Sequence, residues 1–323
     1  MIYSLAVTGP TASGKTALSI EIAKALDSEI ICCDSMQIYR DMDIGTAKPT
    51  AEERAMVRHH MVDFLSPSEP YSAENYKAEA LRVAEDIQSR GKIPIFVGGT
   101  GLYIDTVMRV GMSGVPESSR EYSEAKLKEV KTEEDAHALW EYLLKIDPDS
   151  ASQIHENNVR RVIRAIEIYE RTGKTKSYFD ALAKRPDDNI RVGMITLDFH
   201  NRENLYNRVD LRVDKMMEEG LLSEVEKLYS AGALDKRNTA SQAIGYKEIV
   251  EHLEGRMSLA EAVELIKLSS RRYAKRQLTW FRHEEEAVRL YIDNPDGSMR
   301  ASEELIEEAE TVVSDLIKRI KEI

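Results

Sequence analysis

Apolar positions along the first third of the chain follow two alternating patterns. Short continuous apolar runs predict buried strands at Ile2–Thr8, Glu29–Cys33 and Ile93–Val97. Between them, apolar residues recur every three or four positions and predict helices at Lys15–Leu26 and Glu74–Arg90. Strands that alternate with helices in this way are typical of a parallel, doubly wound α/β sheet.

The alternation stops at Gly111–Ser119, where glycine, proline and serine residues break the pattern. The next segment, Tyr122–Ala183, has the pattern of charged amphipathic helix with no strand candidate. We therefore expect a helical insertion domain at 116–187 between the core segments 1–115 and 188–323. The patterning then predicts a strand at Arg191–Asp198, helices at Leu205–Tyr229 and Leu259–Arg282, a strand at Val288–Ile292, and an exposed, salt-bridge-laced helix at Ser302–Ile323.

The loop after the first predicted strand has the sequence G-P-T-A-S-G-K-T, which fits the phosphate-binding motif G-x-x-x-x-G-K-[ST]. Its glycines let backbone amides turn toward an anion, Lys15 adds a positive charge, and the Thr16 hydroxyl can ligate Mg2+. We expect a diphosphate or triphosphate to bind Gly9, Pro10, Thr11, Ala12, Ser13, Gly14, Lys15 and Thr16. The predicted fold is a P-loop NTPase-like, doubly wound parallel sheet with an inserted all-helical domain.

Composition narrows the class of protein. The 323 residues suffice for about two domains, and the net charge of −12 means that any nucleic-acid site must be a local patch. The two cysteines, Cys32 and Cys33, are adjacent and offer neither a disulfide framework nor a zinc ligand set, which fits a reducing cytosol. No stretch approaches the roughly 20 apolar residues of a membrane span, and no basic, apolar leader precedes the first strand, so we expect a cytoplasmic protein.

Two further residues that follow predicted strands are candidates for binding a ligand or for catalysis. Asp34 directly follows the second predicted strand, and Thr100 lies in the glycine-rich turn Val97–Tyr103 after the third. Ligands of doubly wound sheets bind outside the carboxyl ends of the strands, so both residues should lie beside the phosphate loop. The Asp34 carboxylate can bind Mg2+, take a proton or simply cap a turn. Thr100 can hydrogen-bond a ligand or belong to a turn that needs small residues.

Basic residues cluster in three places, each either a solvated helix face or a set of anion contacts. The clusters are Arg160, Arg161 and Arg164; Arg202, Arg208 and Arg212; and Arg271, Arg272, Lys275, Arg276 and Arg282 around Trp280 and Phe281. The aromatic residues of the third cluster can stack on bases. Separately, His59 and His60 with Asp63 form either a metal set or, because the spacing fits no familiar zinc motif, a structural group.

In combination, these residues resemble the tRNA dimethylallyltransferases, also called tRNA isopentenyltransferases, in their shorter bacterial form. The resemblance covers almost the whole chain and rests on the motifs Gly9–Thr16, Asp34–Arg40, Gly45–Pro49, His59–Asp63, Tyr71–Ala73, Val97–Tyr103, Ala243–Tyr246 and Arg276–Arg282. It implies transfer of a dimethylallyl group from dimethylallyl diphosphate to the N6 amine of the adenosine just 3′ of a tRNA anticodon. One departure is Gln242, where family members often carry an arginine.

The resemblance also implies roles for individual residues. The phosphate loop would hold the prenyl diphosphate, with Lys15, Mg2+ on Thr16, and Arg208 or Arg212 stabilising the leaving group. Asp34 would be the base that removes a proton from the amine, and Thr100 would position the amine. The inserted helices would clamp the tRNA, and the reactive adenine would leave the anticodon-loop stack. The implied tRNA contacts are Asp34, Ser35, Met36, Gln37, Thr100, Arg160, Arg161, Arg164, Gln242, Gly245, Tyr246 and Lys247.

Other functions remain open at this point. They are a P-loop small-molecule kinase that uses ATP, a noncatalytic RNA-binding module with a relic loop, and an adenylate isopentenyltransferase that acts on AMP. The unbroken set of Lys15, Thr16 and Asp34 weighs against the noncatalytic module, and the long helical insertion favours tRNA over a free nucleotide. The sequence indicates no membrane association and no obligate protein partner.

Overall fold

The protein is represented by a computed structural model that describes residues 1–110, 115–116, 118–183, 185–236 and 238–322. The chain forms two compact units. The core unit comprises Met1–Val107 and Asp188–Ile323, and the helical unit comprises Met108–Asp187. The predicted break at 111–119 lies mostly outside the described residues.

The core unit is built on one parallel sheet. Its strands are β1 (Ile2–Thr8), β2 (Ile30–Cys32), β3 (His59–His60), β4 (Ile95–Gly98), β5 (Ile190–Asp198) and β6 (Val288–Tyr291). They lie in the order β3-β2-β4-β1-β5-β6, and every pairing between them is parallel. The predicted α/β class with a parallel sheet is therefore confirmed, while the two-residue edge strand β3 was not predicted.

Helices lie between these strands in the chain and also form the helical unit. In chain order they are α1 (Lys15–Ala25), α2 (Ala51–Met56), α3 (Ala73–Ser89), α4 (Gly101–Met108), α5 (Arg120–Glu129), α6 (Glu133–Ile146), α7 (Pro148–Gln153), α8 (Val159–Thr172), α9 (Lys176–Ala183), α10 (Arg202–Glu218), α11 (Leu221–Ser230), α12 (Tyr246–Leu253), α13 (Leu259–Phe281) and α14 (Ser302–Glu322). Within the described residues, no helix is long and apolar enough to cross a membrane.

The helical segment predicted over 205–229 is confirmed but consists of two helices, because the chain breaks between α10 and α11. Gly220 adopts a φ of 103° there, a left-handed conformation that a helix interior does not accommodate and that glycine adopts without steric cost. The break turns α11 so that Leu221, Val225 and Leu228 are buried in a cluster with α12. Within this region α10 lines the cleft described below, while α11 packs against α12.

The helix α14 was predicted to be exposed, and most of its residues are, but one of its faces is buried. It buries Val313 and Leu316 in the main core, against β1 and β5. Gly193 of β5 allows this close approach, because a Cβ at that position would lie 2.9 Å from the Leu316 Cβ. Salt bridges are present as expected, within the helix between Lys318 and Asp315 at 3.8 Å and from the preceding Arg300 to Glu304 at 2.8 Å.

The helical unit has its own small core. Leu143 of α6 and Val162 and Ile166 of α8 are buried together, with the Trp140 indole packed against them. The carboxylate of Glu167 is fully buried and accepts a hydrogen bond from Arg164 at 2.7 Å. A buried carboxylate needs such partners, since an unpaired charge in a low-dielectric interior is costly.

Candidate active site

Three sequence-predicted segments meet at the carboxyl edge of the sheet. Because β2, β4 and β1 are neighbours, the segments that follow them lie side by side and line one cleft of about 970 Å³. These segments are the phosphate loop, residues Asp34–Gln37, and the Gly98–Gly99 turn. Side chains from α10 and α13 form further parts of the wall. The structure thus brings together residues that are far apart in the sequence, as expected for a doubly wound sheet.

Two basic side chains, one from α1 and one from α10, donate hydrogen bonds to the backbone of the phosphate loop. Lys15 Nζ donates to the Pro10 carbonyl at 2.6 Å, and Arg208 Nε donates to the Ala12 carbonyl at 2.8 Å. Gly14 has a φ of 90° and ends the loop at the amino terminus of α1. The Ser13 Oγ atom is buried and has no hydrogen-bond partner within the described chain. A buried hydroxyl without a partner at a helix amino terminus fits a ligand with anionic oxygen atoms.

Positive charge is concentrated beside this loop. The pKa of Lys15 is lowered from 10.5 to about 7, chiefly by burial and next by the charge of Arg212, while Asp34 acts in the opposite direction. Burial also lowers the pKa of Arg212, and the nearby Arg208 adds to that effect. Cations held this close together with little solvent favour an anionic ligand that neutralises them.

The Asp34 carboxylate lines the cleft and also accepts hydrogen bonds from the backbone. Its Oδ1 atom accepts from the backbone N–H groups of Met36 at 2.9 Å and Gln37 at 3.4 Å, so it does cap a turn. The Ser35 N–H donates to Thr100 Oγ1 at 3.1 Å. The half-buried Thr100 is therefore bonded to the Asp34 turn, and the two candidate residues form one connected unit.

A neighbouring loop is held by a residue that the sequence reasoning missed. The Glu224 carboxylate of α11 accepts from the backbone N–H groups of Asp43, Ile44 and Gly45 at 2.8–3.1 Å. It also accepts from the Tyr246 hydroxyl at 2.5 Å. Tyr246 is fully buried and supports this loop, and its contact with tRNA stays a prediction. A glutamate on a helix surface gave no signal of this contact.

Three other predicted tRNA contacts near Tyr246 line the same cleft, namely Gln242, Gly245 and Lys247. Ser35, Met36 and Gln37 line it as well. The Gln37 amide nitrogen already donates to the carbonyls of Thr46 and Ala47, each at 3.1 Å. Gln37 therefore stabilises the Gly45–Pro49 loop, and its contact with tRNA stays a prediction.

The three arginines of the helical unit differ in their surroundings. Arg160 and Arg161 are exposed in the first turn of α8. Arg164, one turn later, is half-buried and bonded to the buried Glu167. Arg164 thus has a structural partner, and Arg160 and Arg161 are the stronger candidates for contacts outside the chain.

Some basic residues at α13 are paired with aspartates of the same chain, and others line the cleft. Arg271 is paired with Asp210 at 2.6 Å, and Arg282 forms a two-point contact with the buried Asp198 at 2.8 and 2.9 Å. Arg272 and Arg276 line the cleft. In the second predicted cluster, Arg208 and Arg212 line the cleft, while Arg202 is exposed at the start of α10.

The two histidines differ in their surroundings, since His59 lines the cleft and His60 is paired within the chain. His60 contacts Glu29 at 2.7 Å, and hydrogen bonds from Arg90 and then His60 help to lower the Glu29 pKa to about 2. Asp63 accepts from the buried Lys48 at 2.7 Å. Among the described residues, no three His, Cys, Asp or Glu side chains are grouped so that they could hold a metal ion. Of the two alternatives, the metal set is therefore not supported.

The fold and the loop define a P-loop α/β protein with an inserted helical unit. Residues 37–284 match the model of the IPP transferase family, and residues 2–70 match an isopentenyl transferase model. The chain belongs to the IPP transferase family, and the predicted resemblance is confirmed.

Two relatives that are similar in sequence over most of the chain are both named tRNA dimethylallyltransferase. The tRNA dimethylallyltransferase of Bacillus cereus (strain AH187) is 48% identical over 292 residues, covering 90% of each chain. That of Carboxydothermus hydrogenoformans is 45% identical over 310 residues, covering 94% of this chain and 96% of the relative.

Two crystal structures have the same fold. The tRNA isopentenylpyrophosphate transferase of Bacillus halodurans matches with a TM-score of 0.72 and 38% identity, over 100% of this chain and 99% of that one. A eukaryotic dimethylallyltransferase acting on tRNA matches with a TM-score of 0.74 and 29% identity, over 96% of this chain and 85% of that one. The likeness therefore extends over nearly the whole chain.

Proposed function

We propose that this protein is a tRNA dimethylallyltransferase. It transfers a dimethylallyl group from dimethylallyl diphosphate to the exocyclic N6 amine of the adenosine 3′-adjacent to the tRNA anticodon. The observation that carries the proposal is the meeting of the phosphate loop, Asp34 and the Thr100 turn at one cleft, in a chain whose relatives are tRNA dimethylallyltransferases. The same relatives do not favour the small-molecule kinase or the AMP-specific enzyme.

The donor half of the reaction takes place at the phosphate loop. The bond between the allylic carbon and the diphosphate oxygen breaks, and its electron pair leaves with the diphosphate. Lys15, Arg208 and Arg212 surround the position where this negative charge develops, and preorganised cations in a poorly solvated site stabilise such a charge strongly. The loop residues therefore act on the leaving group.

The acceptor half takes place at Asp34. The N6 lone pair is delocalised into the adenine ring, so attack on the allylic carbon is assisted by removal of a proton from the amine. Asp34 accepts that proton on its carboxylate, while the Thr100 hydroxyl positions the amine. The net reaction forms a carbon–nitrogen bond, breaks a carbon–oxygen bond and releases diphosphate and one proton.

A magnesium ion fits this site. The Thr16 hydroxyl lines the cleft and offers a hard oxygen donor, which Mg2+ prefers. Since the described residues include no cluster of three acidic or histidine side chains, the ion would take most of its ligands from the diphosphate and water. When bound, Mg2+ neutralises part of the charge on the departing diphosphate.

The acceptor tRNA is bound at separate surfaces of the two units. In the core unit, Asp34–Gln37 and Gln242–Lys247 line the cleft that the flipped adenosine enters. In the helical unit, Arg160 and Arg161 contact the phosphate backbone, so this unit clamps the tRNA. We infer that the protein acts in the cytoplasm.

The test is incubation of the protein with Mg2+, radiolabelled dimethylallyl diphosphate and unmodified tRNA that has adenosine 3′ of the anticodon, beside reactions with AMP and with ATP alone. We expect label in the tRNA at that adenosine. Label in AMP alone would assign the adenylate isopentenyltransferase reaction, and phosphate transfer from ATP without prenyl transfer would assign a kinase.

Donor affinity should depend on pH through Lys15. Its pKa of about 7 in the free protein means that it carries a proton below pH 7 and loses it above. The bound diphosphate favours the charged form, so binding above pH 7 requires uptake of a proton. We expect the Kd for dimethylallyl diphosphate to rise roughly tenfold per pH unit between pH 7.5 and 9, measured by titration calorimetry. The Lys15→Arg variant, which stays charged, should lose most of this dependence, and an equal slope in both proteins would contradict the role of Lys15.

Arg161→Ala should weaken tRNA binding by about 3- to 10-fold and reduce the slope of log K against log salt by roughly 0.7 to 0.9, because one phosphate contact is lost. Filter binding at several salt concentrations measures both. Arg120→Ala is the matched control, since Arg120 is an exposed arginine of the same unit and is paired with Glu124 at 2.8 Å. An unchanged slope for Arg161→Ala would remove that residue from the interface.

A further inference from the structure

One face of α13 supports the turn that carries Thr100. Tyr273, Gln277 and Trp280 lie four and three positions apart and so project from the same side of the helix. Burial raises the pKa of the Tyr273 hydroxyl, and its neighbours Thr100 and Gln277 act in the opposite direction. Trp280 lies against Gly101 so closely that a Cβ there would be 2.5 Å from the indole. The helix therefore contacts the turn at three successive points.

Gln277 also reaches the phosphate loop. Its Nε2 atom donates to the Gly99 carbonyl at 2.8 Å, and its Oε1 atom accepts from the Thr11 N–H at 2.8 Å. Because a backbone N–H only donates and a carbonyl only accepts, the two contacts fix the orientation of the amide. One planar group that is 6% exposed thus joins the loop assigned to the diphosphate to the turn assigned to the amine.

The junction where the Gln277 amide joins the phosphate loop to the Thr100 turn is closely packed. A Cβ at Gly99 would lie 2.3 Å from Gln277 Nε2 and 3.3 Å from the Gly9 carbonyl oxygen. Loop, turn and carboxamide are therefore in direct contact, and the spacing between loop and turn depends on the length and hydrogen bonds of the Gln277 side chain.

We propose that Gln277 is a positioning residue for prenyl transfer, which holds the phosphate loop and the Thr100 turn at the separation that the reaction needs. This inference rests on the proposed function of the cleft. The allylic carbon is held through the diphosphate on the loop, and the amine is held through Thr100, so the junction sets how closely they approach. A misplacement of about 1 Å between reacting groups costs roughly 100-fold in rate.

The first test compares Gln277→Met with Gln88→Met. Methionine has nearly the same length as glutamine but lacks both polar contacts. Gln88 is a matched control, because its amide makes the same kind of bridge at the other end of β1, accepting from Tyr3 N–H at 2.7 Å and donating to the Met1 carbonyl at 2.9 Å. We expect Gln277→Met to lower the single-turnover rate at saturating substrates by about 10- to 100-fold. Its tRNA affinity should stay within about twofold, and Gln88→Met should leave the rate unchanged.

The second test is a double-mutant cycle with Thr100→Ala. If Gln277 acts by placing Thr100, the loss caused by Gln277→Met should shrink to about threefold or less when Thr100 is already alanine. A merely structural role would give the same factor in both backgrounds and would overturn the inference. Gln277→Asn, which keeps the amide but cannot span both contacts, should reproduce the rate loss and provides the measurement if the methionine variant folds poorly.

Failure of this inference is distinct from failure of the proposed function. Label transfer to tRNA by the unmodified protein tests the function without any variant. If that transfer is normal and both Gln277 variants react within twofold of it, only the role of Gln277 is overturned.

Discussion

Asp34→Asn is expected to lower the single-turnover rate of prenyl transfer by about 100-fold or more while leaving tRNA affinity nearly unchanged. The asparagine retains an oxygen that can accept from the N–H groups of Met36 and Gln37, so the turn should persist. It does not retain a carboxylate that takes the amine proton. Rapid-quench measurement with saturating substrates gives the rate, and filter binding gives the affinity.

The matched control is Asp296→Asn. Asp296 also accepts from a backbone N–H two residues later, that of Ser298 at 2.9 Å, and it lies in an exposed turn. Its replacement should leave the transfer rate unchanged. Loss of tRNA binding by Asp34→Asn with normal single-turnover chemistry would refute the role of Asp34 as the base.

Lys15→Met is expected to reduce kcat/KM for dimethylallyl diphosphate by about 100- to 1000-fold, the loss typical of removing one preorganised group that stabilises a developing negative charge. Both kcat and KM should change, because the ammonium attracts the diphosphate before the reaction and stabilises it more strongly as it leaves. Steady-state kinetics with the donor varied at saturating tRNA measures the effect.

Lys24→Met provides the control for Lys15→Met. Lys24 lies on the same helix α1, but its side chain is exposed and paired with Glu21 at 3.0 Å. This variant should match the parent in kcat/KM. If Lys15→Met fell by less than about fivefold, the diphosphate would have to bind elsewhere than on the loop.

Several elements were predictable because their signals are local. The strands β1 and β5 are continuous apolar runs that lie in the middle of the sheet, where both faces are buried. The helix α13 begins at Ser258, whose side chain accepts from the Glu261 N–H in a capping box. Such features need only neighbouring residues, so they can be found without knowing the fold.

Other elements depended on distant contacts. The short helices α2, α4 and α12 lack the length that makes an isolated helix stable, and α12 forms where Tyr246 and Ile249 are buried against α11 and α13. The apolar stripe of α14 is masked by its many charges, and only the sheet shows that Val313 and Leu316 face inward. Tertiary packing decided these cases.

The sequence by itself determined the phosphate loop, the parallel α/β class and the family, because each can be recognised from contiguous motifs or from apolar periodicity. It also indicated that Asp34 and Thr100 would lie near the loop, since parallel strands place their carboxyl ends at one edge of the sheet. The tertiary structure alone decided which residues hold the site together. Gln277 meets Thr11 across 266 positions and Gly99 across 178, and Glu224 meets Gly45 across 179. No periodicity or motif encodes such pairs, because they arise only when helices that are distant in the chain pack against the loops of the sheet.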